Sequence, residues 1–111
     1  MRDGIYTVVF EGGPASVGEG VAVVTGGYVH GGDIAFTCRG KLEEGRLRLE
    51  VKHYNRDIPS ATGMAEGDYV LAMRYRQVEG GYAFRGHVEG HPSHQLDAYA
   101  VFVTPLLTEK D

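Results

Sequence analysis

Glycine-containing turns divide this chain into short apolar segments, none of them long enough for a helix that connects parallel strands. Glycine at positive φ lets the chain reverse between two strands, so glycine pairs between apolar runs indicate hairpins. The turn signals are Gly12-Gly13, Gly26-Gly27, Gly31-Gly32, Glu44-Gly45, Gly80-Gly81 and Glu89-Gly90. The intervening segments, rich in Val, Tyr, Phe and Thr, predict eight strands at residues 4–11, 17–25, 27–31, 34–41, 45–54, 68–76, 81–89 and 95–104.

Alternation of apolar and charged residues indicates that the strands bury one face. Leu47, Leu49 and Val51 alternate with charged side chains, which is the period of a strand with one face in water. An antiparallel sheet of about eight such strands can bury that face by closing on itself, which also removes its edges. The sequence therefore predicts an all-β, eight-stranded antiparallel barrel in one domain, residues 1–111. At most one short helical turn is expected, at residues 60–62 within the irregular interval 55–67.

Large side chains crowd the predicted interior of this barrel. The inward-facing set is Tyr6, Val8, Phe10, Ile34, Phe36, Leu49, Val51, Met73, Tyr82, Phe84, Tyr99 and Val101. An eight-stranded barrel is about wide enough for its own side chains or for one small ligand, so any cavity should be small and apolar. The sequence does not decide which face of the last strand points inward, since both of its faces are apolar. A ligand pocket, if present, would be lined by Phe36, Leu49, Met73, Tyr82, Phe84 and Tyr99.

Charge and hydropathy restrict the partners of the protein. The formal net charge is −4, from 15 acidic and 11 basic residues, and the sequence shows no run of Lys and Arg. This balance argues against direct binding of nucleic acid or of an anionic membrane. The longest apolar stretch, residues 98–103, is too short to cross a bilayer, and residues 1–4 lead into no signal sequence. We therefore expect a cytoplasmic protein whose partners are proteins or small molecules.

Few residues are arranged for catalysis or metal binding. His87, His91 and His94, followed by Asp97, fit no zinc signature. His87 is expected to point outward on a strand, and His91 and His94 to lie in a solvated, proline-containing loop. Cys38, the only cysteine, alternates with apolar residues and is expected to be an inert core thiol. We predict no catalytic residue, no metal and no cofactor.

Two polar residues have structural interpretations. Asp33 is expected to cap its own turn by accepting backbone N–H groups. His53 is expected in the core or at the rim of the barrel, at the end of a strand's apolar face.

Several short strings along nearly the whole chain resemble the GrlR family, small negative regulators associated with type III secretion. The strings are Asp3-Gly4-Ile5-Tyr6, Gly18-Glu19-Gly20, Gly31-Gly32-Asp33-Ile34, Tyr54-Asn55 with Ile58-Pro59-Ser60, and Tyr99-Ala100 with Phe102 and Pro105-Leu106. Their order and spacing together carry the resemblance. It implies a lipocalin-like barrel that forms a homodimer and represses by sequestering a transcriptional activator protein, without catalysis and without binding DNA itself.

The resemblance also places the partner-binding site at a turn. Characterised members carry alternating Glu and Asp on an exposed turn, and the matching turn here contains Glu43, Glu44 and Arg46, which is shorter and less acidic. These three residues are the predicted partner-binding site. Separately, apolar residues on the second face of two strands predict a homodimer interface at Val70, Ala72, Ala98, Ala100 and Phe102. The alternative function is a lipocalin-like carrier or sensor of a small apolar ligand held inside the barrel.

Overall fold

The computed structural model describes residues 1–13, 16–55, 57 and 68–107. These residues form one closed antiparallel barrel in which each strand pairs with the next and β8 pairs with β1. The strands are β1 (Gly4–Gly13), β2 (Ser16–Thr25), β3 (Tyr28–Gly32), β4 (Phe36–Glu43), β5 (Arg46–His53), β6 (Tyr69–Val78), β7 (Gly81–Val88) and β8 (His91–Thr104). The predicted all-β, eight-stranded antiparallel barrel is thus confirmed. The part of the chain that the structure describes contains no helix, and hence none that could span a membrane. The predicted helical turn at residues 60–62 lies outside that part.

Two-residue turns connect most of the strands, as the glycine pattern predicts. Gly26 and Gly27, between β2 and β3, have φ of 57° and 85°. Positive φ at both central residues is typical of the type I′ hairpin turn, whose twist matches that of the strands. Gly31 and Gly32 are an exception, because they lie within β3 rather than in a turn. A Cβ at Gly31 would collide with the carbonyl oxygen of Val21 on β2, so close strand packing explains this pair.

The core lies inside the barrel and follows the predicted alternation on most strands. In β5, Leu47, Val51 and His53 are buried and Leu49 is half-buried, while the charged residues that alternate with them are exposed. The fully or nearly buried apolar residues are Tyr6, Val24, Val29, Ala35, Phe36, Leu47, Val51, Leu71, Met73, Phe84, Val88, Leu96 and Ala100. Val8, Phe10, Leu49 and Tyr82 of the predicted set pack against this core.

The structure resolves which face of β8 points inward. Ala98, Ala100 and Phe102 pack in the core, whereas Tyr99 and Val101 are exposed on the outside. The prediction that Tyr99 and Val101 face the interior is therefore wrong. The reason is steric, since Ala98 and Ala100 each lie between inward side chains of β1 and β7, and small residues there leave room for large ones. Ala98, for example, pairs with a phenylalanine on each side, Phe10 and Phe84.

Two further predictions need correction at strand ends. Ile34, predicted inside, is 70% exposed because β4 begins only at Phe36 and the connection before it buries Ala35 instead. The predicted loop at His91–His94 is part of β8. Val88 pairs with His91 and His87 with Gln95, so the extra residues of β8 form a bulge, where a proline is tolerated without loss of a ladder hydrogen bond.

Candidate binding surfaces

The barrel encloses a small apolar cavity of about 120 Å³. Of the predicted pocket residues, Phe36, Leu49, Met73 and Phe84 line it, whereas Tyr82 and Tyr99 do not. A cavity of this size with an apolar lining can hold a molecule about as large as benzene, and it is too small for a whole fatty acid. The prediction that the interior leaves little free volume is consistent with this geometry.

Aromatic side chains close one end of the barrel. Tyr82 stacks edge-on against Tyr6 and Tyr75, with ring centroids 6.1 and 6.2 Å apart. Tyr6 donates a 2.6 Å hydrogen bond from its hydroxyl to the carbonyl oxygen of Arg2, and the Arg2 guanidinium lies 4.1 Å from the centre of the Phe102 ring. These contacts occupy the space at this end, which explains why Tyr82 belongs to the packed end and not to the cavity wall.

Cys38 and His53 are both surrounded by core residues. Burial, together with the nearby charge of Asp33, raises the pKa of the Cys38 thiol from its ordinary value of 9.0 to about 11. Such a thiol is protonated at neutral pH and is a poor nucleophile. His53 is 4% exposed and stacks on Phe36, with ring centroids 4.3 Å apart. Both residues therefore belong to the core, as the sequence predicts.

The histidines near the β7–β8 turn come together only in part. The rings of His91 and His94 are 5.7 Å apart, centre to centre, and the Nδ1 atom of His94 is buried without a hydrogen-bond partner. His87 pairs with Gln95 on the outer side of the barrel. Within the described ranges, no three His, Cys, Asp or Glu side chains form a group that could hold a metal ion.

The predicted partner-binding turn lies between β4 and β5. Glu43 and Arg46 are direct cross-strand partners, and Glu44 lies in the turn beside Gly45; all three side chains are exposed. Tyr75 fixes this turn from β6, since its backbone N–H donates to the Gly45 carbonyl at 3.0 Å and its hydroxyl to the Glu43 carbonyl at 3.3 Å. The turn thus presents two carboxylates and a guanidinium on a backbone that the two hydrogen bonds from Tyr75 fix in place.

An exposed apolar face covers the outside of three neighbouring strands. It consists of Val9 on β1, Val21 on β2, and Tyr99, Val101 and Val103 on β8, with exposed fractions from 37% to 55%. Val9 is the direct partner of Tyr99, and Thr7 lies between Val21 and Val101. The hydroxyl of Tyr99 donates to the carbonyl oxygen of Glu79 at 2.6 Å, which holds its ring against the barrel wall. We call these five residues the exposed apolar face.

The predicted dimer residues are divided between inside and outside. Val70 and Ala72 lie half-buried on the outer side of β6, whereas Ala98, Ala100 and Phe102 are in the interior. The three β8 residues are therefore not available to a second copy. The apolar side chains that β8 does present outward belong to the exposed apolar face, which the sequence left undecided because both faces of that strand are apolar.

Sequence reasoning missed a concentration of positive charge on the outer face of β4 to β7. Arg46 pairs with Arg74, and Arg74 pairs with Arg85, so three arginines form one row across β5, β6 and β7. Lys41 and Arg48 form a second row beside it. With Arg76, these residues make up six of the 11 basic residues of the chain, and we call them the basic face: Lys41, Arg46, Arg48, Arg74, Arg76 and Arg85. The signal was the alternation itself, since every one of them occupies an outward position.

No protein-family model matches this chain, and no curated protein is significantly similar to it.

Proposed function

We propose that this protein is a non-enzymatic regulatory barrel that binds other proteins through its outer surface and forms a homodimer. The GrlR-type regulators that the sequence resembles act in this way, by sequestering a transcriptional activator. The observation that carries the proposal is the exposed apolar face. Chains that remain monomeric rarely leave several large apolar side chains together in water, and such faces mark protein interfaces.

A second copy is the occupant that we propose for the exposed apolar face. Two copies related by a two-fold axis would place the same strands, β1, β2 and β8, against each other and cover both faces at once. Glu19, directly opposite Val9 on β2, and Asp97, two residues before Tyr99, border the apolar residues. This gives the face the polar rim and apolar centre that are usual for protein interfaces.

Light scattering at micromolar concentration tests the dimer. We expect the wild-type protein to have about twice the 12.1 kDa mass of the chain and Val101→Lys to be monomeric, because a lysine would bury an unpaired charge at the interface. Thr37→Lys, on the exposed outer side of β4, is the matched control and should remain dimeric. Ala72→Lys tests the interface first predicted on β6. A monomeric wild type would refute the dimer, and a monomeric Ala72→Lys with a dimeric Val101→Lys would move it to β6.

Capture of a protein partner is tested at the β4–β5 turn. An affinity pull-down from the native cell extract should recover a specific partner with the wild-type protein, and less of it with Glu43→Ala and Glu44→Ala. If both variants retain the same partner in full, the two carboxylates have no part in its recognition. An unrelated β-barrel protein of similar net charge serves as the background control.

The interior cavity favours a second candidate function, the carrier or sensor of a small apolar molecule. Its lining is almost wholly apolar, and small apolar cavities of this kind bind aromatic molecules. Native mass spectrometry of freshly purified protein would detect a co-purifying ligand, and benzene would raise the melting temperature of the wild type. Ala98→Val, which adds volume to the cavity wall, should reduce this rise, whereas Thr37→Val on the outside should not. No benzene effect and no bound mass would exclude the carrier function.

A further inference from the structure

We propose that the basic face is a binding site for an acidic segment of a protein partner, held in extended form across β5 and β6. This inference deepens the proposed function, since it names the chemistry of the partner. The β4–β5 turn then contributes to two parts of the contact, since Arg46 belongs to the basic face and Glu43, at its edge, would meet residues of the partner outside the acidic segment.

Like charges stand directly opposite one another in this face. Arg46 faces Arg74, Arg74 faces Arg85, and Lys41 faces Arg48 on neighbouring strands. Directly opposed like charges destabilise a sheet, so an arrangement with three such pairs is costly to the fold itself. A cost of this kind, concentrated at one place on the surface, indicates that the charges serve an external ligand.

Carboxylates of the chain neutralise only the margin of the basic face. Arg48 donates two hydrogen bonds to Glu89, at 2.9 and 3.0 Å, and the hydrogen bonds lower the pKa of Glu89. Arg85 donates a 2.9 Å hydrogen bond to Asp97. In the described part of the chain, Lys41, Arg46, Arg74 and Arg76 make no ion pair. Arg74 is therefore the centre of the site, with an arginine on each side and no carboxylate of its own.

A concave surface lies on the β5 side of Arg74. Arg46, Arg48 and Lys41 border a groove of about 600 Å³ on the outside of β3 to β6, and Ala72 forms part of its floor. Its wall also contains Glu43 and the Arg39–Glu50 ion pair. Ala72 lies between Arg48 and His87 across the strands, so a small side chain occupies the place where a large one would fill the groove. A peptide chain could thus approach the barrel wall while the guanidinium groups reach it from the sides.

An acidic peptide fits the site better than a nucleic acid does. Arg46 and Arg48, like Arg74 and Arg76, are two residues apart, about 7 Å along a strand, which is also the spacing of alternate side chains in an extended peptide. Glu43 and Asp97 stand at the two ends of the arginine row, so the row fits a short acidic segment and not a phosphate backbone that continues past both ends. Tyr28, beside Lys41, offers one aromatic ring, whereas nonspecific sites for single-stranded nucleic acid use several rings on which successive bases stack.

Fluorescence polarisation with a labelled peptide of about ten residues, alternating Glu and Ser, tests the site at low salt, where charge pairs are least screened. We expect binding by the wild type that weakens with added salt. The double variant Arg46→Gln and Arg74→Gln should weaken it roughly tenfold or more, since it removes two charge-assisted contacts. Lys52→Gln is the matched control, because Lys52 is exposed on β5, lies outside the two rows and does not line the groove. It should bind like the wild type.

Three outcomes would overturn the inference: no binding of the peptide, equal losses in Lys52→Gln and in the double variant, or tighter binding of an oligothymidylate of similar charge than of the peptide. The thermal melting of Arg74→Gln separates binding from folding, because relief of repulsion should leave its melting temperature equal or higher. A lower one would make Arg74 a structural residue. Light scattering of the double variant distinguishes this failure from that of the proposed function, since the dimer depends on the opposite side of the barrel.

Discussion

At the scale of single residues, burial decides the chemistry of Cys38. The thiol lies on the inner side of β4, and desolvation first and the charge of Asp33 second raise its pKa to about 11. The thiolate is the reactive form, so an upward shift of about two units leaves on the order of a hundredfold less of it at a given pH below 9. The sequence predicts an inert thiol from alternation alone, and the physical cause of the inertness is this loss of thiolate.

We expect the reaction of Cys38 with a thiol reagent at pH 8 to be on the order of a hundredfold slower in the native protein than in the denatured one. Stopped-flow measurement with a chromogenic disulfide, with and without guanidinium chloride, gives both rates. The native rate should rise as the pH is raised toward 11, whereas the denatured rate should level off above pH 9. Equal rates in the two states would contradict the buried position of the thiol.

At the scale of strands and connections, the predictable part of the fold was set by local patterns. The alternation in β5 and the glycine turns such as Gly26-Gly27 are properties of adjacent residues, and the structure confirms them. The inward face of β8 depends instead on what β1 and β7 present to it, which no local pattern contains. The basic face is hidden for the same reason, because its residues meet only once the strands are in register.

The face of β8 can be tested by two leucine substitutions. Ala100→Leu should destabilise the protein by about 1–3 kcal/mol, because Ala100 is 2% exposed and a larger side chain would overpack the interior. Val101→Leu, one residue further along, should destabilise clearly less, because its side chain lies outside the barrel and an apolar side chain of similar size keeps its contact with a second copy. Urea denaturation of both variants measures the difference. A larger loss of stability in Val101→Leu than in Ala100→Leu would mean that Val101, and not Ala100, faces the interior.

The connection between β3 and β4 depends on one carboxylate. The Oδ1 atom of Asp33 accepts hydrogen bonds from the backbone N–H groups of Ala35 and Phe36, at 2.7 and 2.8 Å, which confirms the predicted cap. The same connection is held from the other side, since the hydroxyl of Tyr54 donates to the Asp33 carbonyl at 2.5 Å. A short loop with no regular structure thereby joins two strands in fixed register.

Loss of this cap should be measurable. We expect Asp33→Ala to lower the free energy of unfolding by about 1–2 kcal/mol, and Asp33→Asn to lower it by less, because the amide oxygen still accepts one or both hydrogen bonds. Asp57→Ala, at an exposed aspartate in another connection, is the control and should have little effect. Chemical denaturation of the three variants decides the matter. An Asp33→Ala variant as stable as the wild type would show that the other hydrogen bonds of the connection, from Tyr54 and Asn55, hold it without the carboxylate.

At the scale of the whole molecule, all strands share one closed core. The titration of buried groups on different strands therefore affects the same unfolding equilibrium. Cys38 contacts the core from β4, and Tyr6 from β1, where burial is also the largest cause of its raised pKa. In both cases the folded protein keeps the proton to a higher pH than the unfolded chain does. Between about pH 9 and 11 the unfolded chain therefore binds fewer protons, and stability falls as the pH rises.

We expect the protein to be most resistant to urea below pH 9 and to lose stability steadily between pH 9 and 11, with Cys38 contributing no more than about 2 kcal/mol of that loss. Cys38→Ala should make the decline shallower in this range, and Tyr6→Phe should make it shallower mainly above pH 10, whatever each substitution does to stability at neutral pH. Urea denaturation repeated at several pH values gives the slopes. If the two variants decline as steeply as the wild type, the alkaline loss comes from other groups, and the Cys38 thiol and the Tyr6 phenol titrate as they do in the unfolded chain.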